Sequence, residues 1–144
     1  MNRQITFLIL FLLIYSCGNS QNSKSFQLVG GQCEGCEAVF EYGNKELTAA
    51  DTLPDFMDKG LKIKITGTVY KNNGKSPAKG VILYIYHTDQ NGIYSNNGGD
   101  THWAKRHGYL RGWTKTDTGG NYSFYTLRPG TYPNRSAPAH VHLT

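Results

Sequence analysis

Apolar and polar side chains alternate along Leu61-Lys62-Ile63-Lys64-Ile65-Thr66-Gly67-Thr68-Val69-Tyr70, the two-residue period of a strand with one buried face. Asn72-Asn73-Gly74-Lys75-Ser76-Pro77 then supplies turn chemistry. Val81-Ile82-Leu83-Tyr84-Ile85-Tyr86-His87 is a continuous run of β-branched and aromatic residues and predicts a strand covered on both faces, ending at the turn Asp89-Gln90-Asn91-Gly92. Residues 96–110, rich in Asn, Gly and His, read as a long surface loop. Gly112 to Lys115, the turn Asp117-Thr118-Gly119-Gly120 and Tyr122 to Leu127 together predict a hairpin. Upstream, Cys33 to Gly60 shows no persistent period, and Pro54 among acidic neighbours predicts an irregular lead-in over 29–61. Short strands at regular spacing with little helix make the expected domain, residues 62–144, an all-β sandwich.

At the end of this pattern, His140 and His142 are one residue apart in Ala139-His140-Val141-His142-Leu143, just downstream of Tyr132 in Pro129-Gly130-Thr131-Tyr132-Pro133. On a strand both imidazoles project to one side while Val141 and Leu143 face the other. Imidazole is the commonest neutral metal ligand, and a nearby phenolate adds a hard anionic donor suited to a highly charged cation such as ferric iron. Surface histidines on an edge strand are the alternative. His87 is expected to satisfy a hydrogen bond at its strand end. His102 and His107 fall in the long loop, where they either line a substrate mouth or stay solvated. Trp103, Tyr109 and Trp113 suit stacking on an aromatic substrate or core packing equally well. Arg111 suits a carboxylate or an acidic partner, and Gly112 a tight backbone approach.

Composition separates the N-terminus from the domain. Arg3, the apolar stretch Ile5 to Ile14 and Tyr15-Ser16-Cys17 form a targeting segment, residues 1–17, too short to span a bilayer well. It resembles a bacterial lipoprotein signal, which makes Cys17 the lipidation candidate; an ordinary cleaved secretory signal is the alternative. Residues 18–28 are polar and small, as suits a flexible tether. An exported, membrane-anchored protein of the bacterial cell envelope is therefore expected. In that oxidising setting the remaining cysteines, Cys33 and Cys36, are a disulfide candidate. The net charge of +5 is uneven, with 4 basic and 7 acidic residues over 1–61 against 11 and 3 from Lys62 onward. These basic residues are scattered rather than clustered, so a solvated surface is expected and no nucleic-acid partner.

The joint occurrence of several short motifs then resembles the intradiol ring-cleavage dioxygenases, the family of catechol and protocatechuate dioxygenases. They are Gly67-Thr68-Val69, His87-Thr88-Asp89, Gly92-Ile93-Tyr94-Ser95, Arg111-Gly112, Thr116-Asp117 with Gly120 to Phe124, Pro129 to Pro133, and Pro138-Ala139-His140-Val141-His142. The resemblance implies a sandwich of prealbumin-like topology and a non-haem Fe(III) held by Tyr94, Tyr132, His140 and His142. It further implies a catecholic substrate, O2 as co-substrate, a muconate-type diacid product, and Tyr94 as the ligand displaced by substrate and a base for its protons. The family places an arginine three residues before the first histidine, where this chain has Ala137; Arg135, two residues earlier, is the candidate replacement as charge stabiliser. The family's sandwich also continues past the histidine strand, so the domain is expected to be incomplete at Thr144. Two other readings compete. Gly67-Thr68-Val69 and the Thr116 to Phe124 segment also resemble transthyretin-like and carboxypeptidase-regulatory-like modules that bind without catalysis, and loss of the arginine suits an iron- or catechol-binding lipoprotein without turnover.

Overall fold

The computed structural model describes residues 27–31 and 33–144. The signal segment, its lipidation candidate Cys17 and most of the tether lie outside the described residues. Six strands follow in chain order: β1 (Ala50–Thr52), β2 (Lys62–Thr68), β3 (Ile82–Tyr86), β4 (Arg111–Lys115), β5 (Asn121–Leu127) and β6 (His142–Leu143). They form two three-stranded sheets, ordered β1-β5-β2 and β4-β3-β6. The fold is the all-β sandwich that the alternation predicted, and among the described residues no helix is long and apolar enough to cross a membrane.

Strand β2 keeps its two-residue period, with Lys62, Lys64, Thr66 and Thr68 exposed and Ile63 and Ile65 turned inward. It pairs antiparallel with β5, Ile65 opposite Phe124. Strand β3 is covered on both faces. Leu83 and Ile85 meet Leu53 and Phe124 between the sheets, while Tyr84 on the opposite face packs with Ala38, Val39 and Trp113.

The segment Gly112 to Leu127 departs from the expected hairpin. Its turn closes locally, with the Asp117 amide donating to the Asn121 carbonyl at 3.2 Å and the Gly120 amide to the Asp117 carbonyl at 3.1 Å. Its two strands nevertheless enter different sheets, β4 pairing with β3 and β5 with β2 and β1. Burial accompanies the difference: β4 extends the sheet of β3 and adds Trp113 to the cluster on its outer face, while β5 lies in the opposing sheet and sets Phe124 between the two.

The lead-in over 29–61 proves to be part of the packing. Its 3-10 turn Cys36–Phe40 lays Ala38 and Val39 on β3, and β1 runs parallel to β5. Its acids serve as anchors. Glu41 accepts from Arg111 Nη1 at 2.7 Å and from the Trp103 amide at 3.2 Å. Asp51 accepts from the Trp113 amide at 2.8 Å, and buried Asp55 from Thr126 Oγ1 at 2.8 Å. Gly112 admits Leu53, whose Cδ1 lies 2.6 Å from where a Cβ would stand, so the tight approach expected at this glycine is present. Cys33 and Cys36 are bridged, their Cα atoms 5.6 Å apart.

Phe124 is 0% exposed at the centre of the inter-sheet cluster. Phe124→Ala is expected to cost about 3–5 kcal/mol, the range for deleting a buried aromatic ring, whereas Lys75→Ala in the exposed turn stays within about 0.5 kcal/mol; urea unfolding measures both.

Candidate metal centre

The two loops that carry the tyrosines are built around one carboxylate. Asp89, just past β3, accepts from the amides of Asn91 at 2.8 Å and Ile93 at 3.0 Å through Oδ1, and from Ser95 Oγ at 2.6 Å through Oδ2. These bonds grip the chain on both sides of Tyr94. The Asp89 carbonyl also receives the Gly130 amide at 2.8 Å, and Thr88 Oγ1 donates to the Gly130 carbonyl at 3.0 Å, which ties in the loop bearing Tyr132. Close contact requires glycine on both sides. At Gly92, with φ +80°, a Cβ would fall 1.8 Å from the Thr131 carbonyl oxygen, and at Gly130 it would fall 2.4 Å from the Gln90 oxygen.

The histidines arrive from the other edge of β3. Only His142 lies in β6, paired with Tyr86, and His140 precedes the strand. The alternation nonetheless holds, since Val141 packs against the inter-sheet cluster and the two imidazoles face one region with centroids 4.8 Å apart.

All four nominated side chains meet. Tyr94 Oη is 2.6 Å from Tyr132 Oη and 3.0 Å from His142 Nε2, and Tyr132 Oη is 3.3 Å from His140 Nε2. His140 Nδ1 donates to the Pro138 carbonyl at 2.8 Å, which leaves Nε2 with its lone pair directed at the cluster. Ligands about 2.0–2.1 Å from one small cation, at angles between square and tetrahedral, stand about 2.9–3.4 Å apart. The separations of 3.0 and 3.3 Å lie within that range, and the 2.6 Å between the two phenolic oxygens is shorter, as for a hydrogen bond between them. Among the described residues no group of three or more His, Cys, Asp or Glu converges anywhere, so a cation here depends on two phenolic oxygens together with two imidazoles. Such a donor set supplies two negative charges to a hard trivalent ion.

Without a cation Tyr94 and His142 favour their neutral forms. Burial, the hydrogen bond from Tyr132 and the nearness of that phenol push the Tyr94 hydroxyl well above the usual phenol range, with Arg135 opposing. Burial and then His140 push the His142 imidazole down. Arg135 stands beside the cluster, its guanidinium over the Tyr132 ring at 5.5 Å from the centroid.

Of the loop residues, His102 is exposed, whereas His107 is buried within the four-residue helix α1 (Ala104–His107), which corrects the expectation of a solvated or mouth-lining loop histidine. Its Nδ1 is 2.8 Å from Tyr84 Oη, and burial, then Arg111 and His142, push its imidazole down to about 4. His87 satisfies its strand-end bonds as expected, to the Thr88 carbonyl at 2.7 Å and Thr126 Oγ1 at 2.8 Å. Trp113 and Trp103 pack in or against the core and Arg111 pairs with Glu41. The organising role of Asp89 was missed from the sequence; the spacing Asp89, Asn91, Ser95 was visible there only as turn chemistry.

Burial alone would raise the Asp89 carboxyl, but the bonds from Ser95, Ile93, Asn91 and Gly92 outweigh it and hold it below 3.8. Its contribution is therefore complete above the unfolded-state value and is lost as pH falls through the lower folded one. Amide exchange at Asn91 and Ile93 is expected to stay slow down to the ordinary carboxylate range and to accelerate only below it, while Asp89→Ala exchanges fast at every pH. Gly130→Ala should accelerate the same amides by parting the loops.

A family model described as Dioxygenase matches residues 40–144. Among solved structures, the chain is similar to an intradiol ring-cleavage dioxygenase from Tetranychus urticae, at 27% identity and TM-score 0.50 over 69% of this chain and 51% of that one. It is similar to the dioxygenase domain of a dioxygenase carbohydrate-binding protein fusion from Streptomyces sp. SirexAA-E, at 25% identity and TM-score 0.53 over 81% of this chain and 65% of that one. It is also similar to catechol 1,2-dioxygenase from Pseudomonas arvilla C-1, at 25% identity and TM-score 0.51 over 67% of this chain and 35% of that one. The chain thus spans between about a third and two thirds of these structures. No curated protein matches it. With a family match over most of the chain and a sandwich shared with these enzymes, the chain belongs to the intradiol ring-cleavage dioxygenase family.

Proposed function

We propose that this chain carries the non-haem ferric site of an intradiol dioxygenase, which opens a catecholic ring with O2 between its hydroxylated carbons to give a muconate-type diacid. The observation that carries the reading is the meeting of Tyr94, Tyr132, His140 and His142, from three separate segments, in one line of contacts of 2.6, 3.0 and 3.3 Å. These four would hold the ion, which when bound supplies Lewis acidity and a template for substrate and O2. Tyr94 has the properties of a base for a catechol proton. Its phenolate binds a proton strongly, and it hydrogen-bonds to both Tyr132 and His142, so a proton it takes up stays within the cluster. Arg135, over the ring of Tyr132, opposes the burial that holds the Tyr94 hydroxyl protonated, and it is two residues from Ala137 in the chain. The targeting segment and Cys17 support an exported, lipid-anchored location.

Ala137 favours a second reading, a catechol- or iron-binding protein without turnover, because a single preorganised group on a developing charge is worth about 10²–10³ in rate. The purified chain is expected to take up one ferric ion with the red-brown colour of tyrosinate-to-iron charge transfer. Tyr132→Phe should lose much of that colour, and His140→Ala should weaken ferric binding by more than the about 10–100-fold typical of losing an outer partner. Oxygen uptake with catechol separates the readings. Activity in the unmodified chain that falls in Arg135→Ala supports the enzyme, activity appearing only in Ala137→Arg supports the binder, and colourless, iron-free protein after ferric reconstitution overturns both.

A further inference from the structure

The two histidines of the cluster are oriented in different ways. His140 is fixed by a hydrogen bond from Nδ1 to the Pro138 carbonyl. Among the described residues no protein group bonds to His142 Nδ1, and β6, which carries it, is only two residues long. The backbone of this edge is held by reciprocal bonds between Tyr84 and Thr144, each 2.9 Å, but these leave the imidazole free to turn.

What lies against the His142 ring is a row of aromatic rings. Tyr86 faces it with centroids 4.3 Å apart and planes 6° from parallel. On the far side of Tyr86 lies His107, at 3.7 Å and 5°. His107 is itself locked: its Nδ1 bonds to Tyr84 Oη at 2.8 Å, and Trp103 stacks on it at 5.2 Å. Gly35, in the bridged Cys33–Cys36 loop, comes so near that a Cβ would stand 2.7 Å from His107 Cε1 and Nε2. One end of the row is therefore set in the core, and the other ends on a ring with no hydrogen bond at its outer nitrogen.

We propose that Tyr86 and His107 are positioning residues that fix the orientation of the His142 imidazole through this parallel stack, doing by ring contact what the Pro138 carbonyl does for His140. The inference rests on the proposed role of His142 as a metal ligand for its consequence, but not for its geometry. A ring held against Tyr86 keeps its plane, and the 3.0 Å contact of Nε2 with Tyr94 Oη selects the edge that faces the cluster, so Nε2 is directed there before any ion arrives. Tyr86 contributes its ring face here and needs no hydroxyl, which distinguishes it from a hydrogen-bonding partner.

The test reads the metal-free protein first. In the unmodified chain the ring-proton resonances of His142 are expected to be shifted upfield by the ring current of Tyr86; Tyr86→Phe keeps the shift and Tyr86→Leu abolishes it. Ferric ion then serves as the second probe: Tyr86→Leu and His107→Leu should lower affinity by about 10–100-fold and move the charge-transfer band, with Tyr86→Phe within a few-fold of the unmodified protein. Unshifted His142 resonances in the unmodified chain overturn the inference, as does a folded Tyr86→Leu protein with the original shift or the original ferric affinity and band. Should Tyr86→Leu fail to fold, the unmodified chain, Tyr86→Phe and His107→Leu still decide. Failure of the unmodified chain to bind ferric ion overturns the proposed function, and the His142 resonances then decide the stack alone.

Discussion

Covering β3 on both faces is the constraint from which the rest of the structure follows. A strand of Ile-Leu-Tyr-Ile-Tyr has apolar surface on each side, and one opposing sheet can cover only one of them. The sheet of β1, β5 and β2 covers Leu83 and Ile85 through Phe124. The other face, with Tyr84, needs a second cover, and the lead-in supplies it with Ala38 and Val39, helped by Trp113 and Trp103. That requirement explains why a segment without any strand or helix period is fixed by Glu41, Asp51 and Asp55: lacking a ladder along most of its length, it is held by its apolar contacts and by charge-assisted bonds to the residues beneath. The acidic excess before Lys62 thus has a structural use, since three of its seven members are anchors.

The same strand places the site. Its C-terminal end runs directly into Asp89, and its edge pairs with β6. Tyr94 and Tyr132 come from the loop side, His140 and His142 from the edge side, and Tyr86, the last residue of β3, lies between them and the core. Gathering two phenols and two imidazoles this tightly is opposed by desolvation and by the crowding of lone pairs. It is tolerable in neutral form because the groups can form one line of hydrogen bonds, each passing a proton to the next. Asp89 and the two glycines hold the loops together against that opposition, so the carboxylate that matters most to the site never touches it.

How much of this was legible in the sequence follows from the range of the forces involved. The strands of the sandwich could be read because their periods are local, and β2, β3 and β5 lie within a residue or two of where the alternation puts them. His140 and His142, with Tyr132 just upstream, were legible from their spacing, whereas Tyr94 was legible only through joint motifs, as nothing in its periodicity separates it from the other tyrosines. The sheet change between β4 and β5 was not legible, because turn chemistry at Asp117 to Gly120 closes a tight turn whether the strands beyond it pair or part. Burial of His107 was equally hidden: the loop around it is polar, and the partners that enclose it, Gly35, Tyr84 and Tyr86, lie far away in sequence. Long-range packing set each of these features, and local composition carries no trace of it.

The position of Arg135 bears on the charge balance of the cluster. Read as an extended strand, its offset from position 137 would carry its side chain about 6–7 Å along the chain. The segment before His140 is not a strand, and the guanidinium folds back over Tyr132. From there it acts on the tyrosines: it opposes the burial that keeps Tyr94 protonated and lies against the ring of its partner. An arginine so placed favours loss of the Tyr94 proton, which is a different task from meeting charge that develops on a substrate. Ala137 and Arg135 are therefore not a simple exchange of positions. In this chain the arginine's charge is set against the tyrosines of the cluster, over the ring of Tyr132 and opposing the burial of Tyr94.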